Sequence, residues 1–413
     1  MSDTTRRIAK NTASLMMAEM VSKGLSFLLI ILIARNLGDV TFGKYSFAFA
    51  FTSLFAIFAD FGLSTLTIRE VARNREYAGK YLGNISLIKF LLSIITAIFI
   101  LISINLLDYP SDTILAVYFA GAYVIVNSFN QFLRAFFRAF ERMEYETFTR
   151  IAERIILFIA VASMLHFGYG LVPVISVFFI VSVFNLFVTV LLVLKRFVKP
   201  SYDIDLKFCR EIIKEAIPFS LAIAFSAIYF RIDTVMLSLM QSDNVVGWYS
   251  AAYQILEGGT LVPISFVSAI FPFFSKMHNN REKHKAAFLK AFKYLFILGF
   301  FISSFMTLYA DFIISFLYGV EFLYSIDTLK ILSWALFLIF LEYLFSQSLY
   351  AMNMQKINMY LMGICMIVNI LLNLILIPIF SHNGAAIATL FTELVLLVLS
   401  FVYVNSKLKF ITY

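Results

Sequence analysis

Among the ionisable side chains within long apolar stretches of this 413-residue chain, six stand out: Glu19, Lys23, Asp60, Arg231, Asp233 and Glu257, with Glu342 and Glu393 as weaker candidates. A charge in hydrocarbon is costly, so such residues face a bundle interior or water and mark a path for ions or charged molecules. Lys23 and Arg231 are the cations of the set. An arginine offers a planar fork of donors that matches a phosphate, and a lysine offers a compact point charge. Together they could line a cationic cavity for an anionic molecule. Glu19, Asp60, Asp233 and Glu257 could then balance those charges or carry a coupling H+ or Na+. The same residues could instead only pair with one another. Glu19 lies one helical turn before Lys23, and Glu257 is a candidate partner for Arg231. Three further cations, Lys89, Lys293 and Arg134, sit at span ends on the cytoplasmic side and could ring an inward mouth; snorkelling to the interface is the other account of Lys89 and Lys293.

Other chemistry is excluded by the residues present. Gly38 to Lys44 fits the spacing G-x-x-x-x-G-K, but Tyr45 stands where a phosphate-binding loop needs Ser or Thr for magnesium. His166, His278, His284 and His382 are scattered, so no metal site is expected. Cys209 lies in a polar loop and Cys365 in an apolar run, which argues against a disulfide framework. No catalytic constellation is visible, and no cofactor beyond a coupling H+ or Na+ is expected.

The elements that must position the charges are membrane spans. Hydrophobic residues make up 61% of the chain and charged residues only 14%, too few for a soluble domain. Twelve apolar runs are predicted at about 12–34, 45–66, 84–107, 113–136, 151–168, 171–194, 216–240, 248–274, 288–310, 326–350, 357–380 and 384–405. The first contains Glu19 and Lys23 and lacks a cleavage site, so it is expected to be a retained span rather than a signal peptide. With the N-terminus inside, 28 of the 33 Lys and Arg residues fall on the inner side. Only Arg35, Lys44 and Lys330 fall outside, and Lys23 and Arg231 lie within spans. That asymmetry predicts both termini in the cytoplasm. It also accounts for the net charge of +8 without a nucleic-acid partner. The expected location is the cell (cytoplasmic or inner) membrane, crossed many times.

A repeat divides the chain. The pattern D-x-x-x-G-x-Y-S-x-A occurs from Asp39 to Ala48 and again from Asp243 to Ala252, 204 residues later. Lys89 and Lys293 are mates at the same offset. An offset near half the length implies two like halves. The expected domains are 1–200 and 216–413, each of six helices, joined by a polar cytoplasmic linker at 201–215. An even number of spans per half predicts a pseudo-two-fold along the membrane normal. Under the offset, Arg231 lies one turn from the mate of Lys23, and Glu257 lies two turns from the mate of Asp60. Pro263 stands inside span 8 without a mate, where a kink is expected.

Several strings carry a family resemblance. Ala34-Arg35-Asn36-Leu37-Gly38-Asp39 through Gly43-Lys44-Tyr45 resembles the first-loop signature of polysaccharide flippases. Asp60-Phe61-Gly62-Leu63, Ile232 to Leu237, Val246-Gly247-Trp248-Tyr249, Val262-Pro263 and Phe271-Pro272 resemble later parts of the same pattern. The chain is similar in span count and order to the multidrug/oligosaccharidyl-lipid/polysaccharide exporter superfamily. The resemblance implies flipping of a polyprenyl-(pyro)phosphate-linked oligosaccharide to the outer leaflet, with membrane lipid as the surrounding partner. It implies that Lys23 and Arg231 meet the lipid phosphate. An ion-coupled multidrug antiporter of the same superfamily is the alternative, for which cavity carboxylates should dominate. A membrane polymerase or glycosyltransferase would need a sizeable loop with clustered Asp, Glu or His, and none is present. Neither the glycan nor the oligomeric state is encoded legibly.

Overall fold

The computed structural model describes residues 3–201, 203–277 and 280–408; His278 lies outside them. Every regular element among the described residues is helical. The α-helices are α1 (Asp3–Asp60), α2 (Leu63–Arg73), α3 (Ala78–Asn105), α4 (Ser111–Ala139), α5 (Met143–His166), α6 (Leu171–Arg196) and α7 (Leu206–Met240). They continue as α8 (Asp243–Gly259), α9 (Leu261–Met277), α10 (Arg281–Leu308), α11 (Ala310–Leu317), α12 (Ser325–Ala351) and α13 (Gln355–Leu408). Among the described residues, nine stretches are long and apolar enough to cross a membrane. Two of them run for 55 and 54 residues, too long for one crossing. Each contains a sharp break: Gly38 at φ 75° in α1, and Ser381 at φ 54° in α13. Glycine reaches that backbone region without strain, whereas serine does so at a cost.

Contacts divide the chain into two compact units. One comprises Met1–Leu37 with Phe47–Ala227; the other comprises Gly38–Ser46 with Ile228–Tyr413.

In the first unit, aliphatic and phenylalanine side chains of α2, α3, α4 and α7 form a buried core that includes Leu66, Ile85, Phe132, Phe136 and Ile212. The segment before α7 is tied to the start of α3. Ser201 N donates to Gly79 O at 3.0 Å, Asp205 N donates to Asn84 Oδ1 at 2.9 Å, and Lys80 Nζ lies 2.7 Å from Asp205. From Leu206 onward the chain is already helical. Asn84 is fully buried in this contact.

In the second unit, span 8 does not merely bend at Pro263. It is interrupted at Thr260, between α8 and α9, three residues before the proline. The amide of Ile264 recovers a bond to Thr260 O at 3.2 Å. The two copies of the repeat motif meet here. A Cβ on Gly43 would lie 1.8 Å from Asp243 O, and a Cβ on Gly247 would lie 2.1 Å from Asp39 O. Glycine at both positions lets two backbones touch, as small residues do at close helix crossings in membranes.

Candidate substrate and ion-coupling site

The second unit, which takes up α7 from Ile228 onward, holds the expected cation and its acids. Arg231, in the last third of α7, lies against Glu257 near the end of α8, with Nη2 and Oε1 2.9 Å apart. The pair is not sealed: the Arg231 side chain keeps 41% of its surface and Glu257 keeps 29%. The contact is an ion pair through one nitrogen, so the in-plane donors of the guanidinium fork are left for an incoming anion.

Asp233, two residues on, points into the protein and is 3% exposed. Its carboxylate accepts from Tyr249 Oη at 2.7 Å, Thr389 Oγ1 at 2.8 Å and Asn373 Nδ2 at 2.6 Å. Asn373 Nδ2 also donates to Asn369 Oδ1 at 3.0 Å. Asn373 Oδ1 is buried without a hydrogen-bond partner. Four helices thus converge on one carboxylate: α7, α8 and both halves of the broken α13. Two more buried acids lie in the same unit. Glu393 accepts from Tyr229 Oη at 2.6 Å, and Glu342 accepts from the hydroxyl of Ser346.

The other unit holds the remaining expected residues. Lys23 and Glu19 form the i,i+4 pair at 3.5 Å, each 40% exposed. Glu19 is also bound by Arg150 at 2.6 Å, and Arg150 lies 3.6 Å from Glu146. Arg138 grips Glu146 with Nε at 2.7 Å. A relay of alternating charge therefore runs from Lys23 in α1 to Arg138 in α4 by way of α5.

Asp60 is paired with Lys89 at 2.8 Å. Lys89 is fully buried and also donates to Ala59 O at 3.0 Å. Arg134 is nearly buried, with Nη2 2.7 Å from Glu153 and Nε 3.2 Å from Thr149 Oγ1. Of the three cations expected at a mouth, Lys293 is exposed and the other two are held in interior pairs. The repeat mates Lys89 and Lys293 therefore have different surroundings.

Glu146, Arg150 and Glu153 were not among the expected site residues. Their signal was available: spacings of four and three place them on one face of α5. α5 is also not among the helices apolar enough to cross a membrane on composition. The partners of Asp233 had no local signal, because they come from positions 16, 140 and 156 residues away. Among the described residues no group of three His, Cys, Asp or Glu could hold a metal ion.

A family model described as "Polysaccharide biosynthesis protein" matches residues 8–278, and a second, "MatE", matches residues 218–375. A Haloferax volcanii protein named "Probable low-salt glycan biosynthesis flippase Agl15" is 24% identical over 97% of this chain and 84% of its own length. The fold is similar to that of the lipid II flippase MurJ in an inward closed conformation, with TM-score 0.79 and 18% identity, over 94% of this chain and 87% of that one. It is also similar to an inward-facing multidrug resistance MATE family transporter of the MOP superfamily, with TM-score 0.72 and 16% identity, over 95% and 96% of the two chains. With well over half its length matched by the first model, the chain belongs to the polysaccharide biosynthesis protein family.

Proposed function

We propose that this protein is a flippase of the multidrug/oligosaccharidyl-lipid/polysaccharide exporter superfamily. It moves a polyprenyl-(pyro)phosphate-linked oligosaccharide from the cytoplasmic to the outer leaflet by alternating access. It is a transporter and not an enzyme. The observation that carries this reading is the family match over residues 8–278, and the flippase named among its relatives supports it. Arg231 and Lys23 are the residues proposed to meet the phosphate. Both keep accessible side chains, and each has a carboxylate neighbour that an incoming anion can displace. A phosphate leaving water needs such a partner, because an unpaired buried charge is very unfavourable.

The cluster around Asp233 is the proposed site of ion coupling. Asp233, the unpartnered Asn373 Oδ1 and Thr389 Oγ1 supply one charged and two neutral oxygens, a donor set suited to a hard cation such as Na+. Protonation of Asp233 would neutralise the cluster in the same way. The match of the MatE model to residues 218–375 favours a second reading, an ion-coupled multidrug antiporter, in which these carboxylates would dominate.

The proposed topology has twelve spans in two six-helix halves, residues 1–200 and 216–413, with both termini in the cytoplasm. The breaks at Gly38 and Ser381, each inside a stretch too long for one crossing, and the polar α5 support a count above the nine apolar stretches. Single cysteines at Asp108, Asp243 and Glu321 should react with an impermeant thiol reagent from outside, and cysteines at Arg75, Arg142 and Lys283 should not; the opposite pattern refutes the orientation. The functional test is glycan export in cells that depend on this protein, with membrane abundance checked. Full export by a Lys23→Ala, Arg231→Ala double variant would refute the cationic mechanism. Drug extrusion without glycan export would establish the second reading.

A further inference from the structure

We propose that a groove between α9 and α10 binds one anionic membrane phospholipid, separately from the transported cargo. A cavity of about 640 Å³ lies between these helices, wholly within one unit. Phe266, Ile270 and Phe273 of α9 form one wall. Ala286, Ala287 and Ala291 of α10 form the other, and their small side chains are what open the space.

Lys283 marks one end of the groove, and Lys290 stands about two-thirds of the way along it. Lys283 and Lys290 line the same groove, two turns apart on one face of α10. Both are exposed, and among the described residues neither ammonium has an ion-pair or hydrogen-bond partner. This contrasts with Lys89 in the other unit, whose ammonium is fully paired. From Lys283 to Tyr294 the groove follows eleven residues of α10, roughly 16 Å at the usual helical rise. That is about half of a ~30 Å hydrocarbon core. A single leaflet's lipid therefore fits, with its tail against phenylalanine and alanine and its phosphate on the two lysines. A zwitterionic lipid would fill the apolar part equally but bring its own cation toward them.

The test is native mass spectrometry of the intact, detergent-purified protein with added phosphatidylglycerol or phosphatidylcholine. The wild type should retain one phosphatidylglycerol in preference to phosphatidylcholine. Each lysine near an anionic surface should contribute about fivefold, so K283Q/K290Q should lose about thirtyfold of that preference. Both positions are exposed, so this variant should fold. Ala287→Trp keeps both charges but fills the groove, and it too should lose the bound lipid. Equal retention by the wild type and K283Q/K290Q would overturn the proposal. So would undiminished retention by Ala287→Trp in protein that elutes as the wild type does, since the lysines would then hold lipid outside the groove. Polyprenyl phosphate binding where phosphatidylglycerol does not would overturn the choice of occupant.

Discussion

The Arg231–Glu257 pair discriminates between a substrate site and a structural brace by the sign of two substitutions. The pair is a single contact at 2.9 Å between side chains 41% and 29% exposed. Exposed pairs contribute about 0–1 kcal/mol, so Arg231→Ala should cost at most about 1 kcal/mol of stability. Removing one member of a close charge pair with a ligand costs about 2–4 kcal/mol of binding, roughly 30- to 1,000-fold. Arg231→Lys keeps the charge but loses the fork, and should recover only part of that loss. Glu257→Gln should act in the opposite direction, because it removes the carboxylate that competes for the guanidinium. A gain of about two- to fivefold in affinity is expected. The assay is binding of a short-chain polyprenyl phosphate to purified protein by titration calorimetry, with melting temperature as the control. If Glu257→Gln weakens binding as much as Arg231→Ala does, and both lower the melting temperature, the pair is a brace and the reasoning is wrong.

Other substitutions probe other parts of the fold. Asp233→Asn should abolish the rise in melting temperature when sodium replaces choline, and an unchanged rise would move coupling elsewhere. Gly247→Ala should destabilise by about 1–3 kcal/mol despite alanine's better helix propensity, because the obstacle is the backbone oxygen of Asp39. Gly24→Ala, with nothing within 4 Å, is the control and should be neutral or stabilising in the same denaturation assay. The hydrogen bond from Lys80 holds the Asp205 carboxyl below its ordinary pKa. Its contribution to tethering the segment before α7 is therefore present above the unfolded-state pKa and lost as pH falls through the lower folded value. Hydrogen exchange at residues 203–208 should accelerate only below the usual carboxylate range, and Asp205→Asn should remove that dependence.

How much the sequence disclosed depended on how far apart the partners lie. Lys23, Asp60, Arg231, Asp233 and Glu257 stood out because hydrophobic surroundings make any charge conspicuous. The i,i+4 spacing of Glu19 and Lys23 was readable for the same reason that it forms, since neighbours on one helix face need no knowledge of the fold. The oxygens gathered around Asp233 were not readable. Thr, Tyr and Asn raise little contrast in an apolar run, and they converge only when α13 folds against α7. The charges of α5 were hidden differently: they lowered the hydropathy of their helix, so residues 143–150 read as a loop rather than as a buried polar face. Gly38 announced a turn by its type. Ser381, which makes the corresponding turn in α13, did not, because serine seldom adopts that backbone conformation.

The crossing of the two repeat motifs has the geometry of an interface between identical subunits. Gly43 lies against Asp243 and Gly247 lies against Asp39, so each copy presents to the other the patch that it receives. In a two-fold dimer every side chain on such a patch must be compatible with itself, because both partners carry it. Within one chain that obligation is lifted. Trp248 donates its ring N–H to Asp39 at 2.8 Å, while the mate of Trp248 is Lys44, a residue of different shape and charge. The duplication is thus kept where backbone meets backbone, while at Trp248 and Lys44 the two copies have been free to diverge.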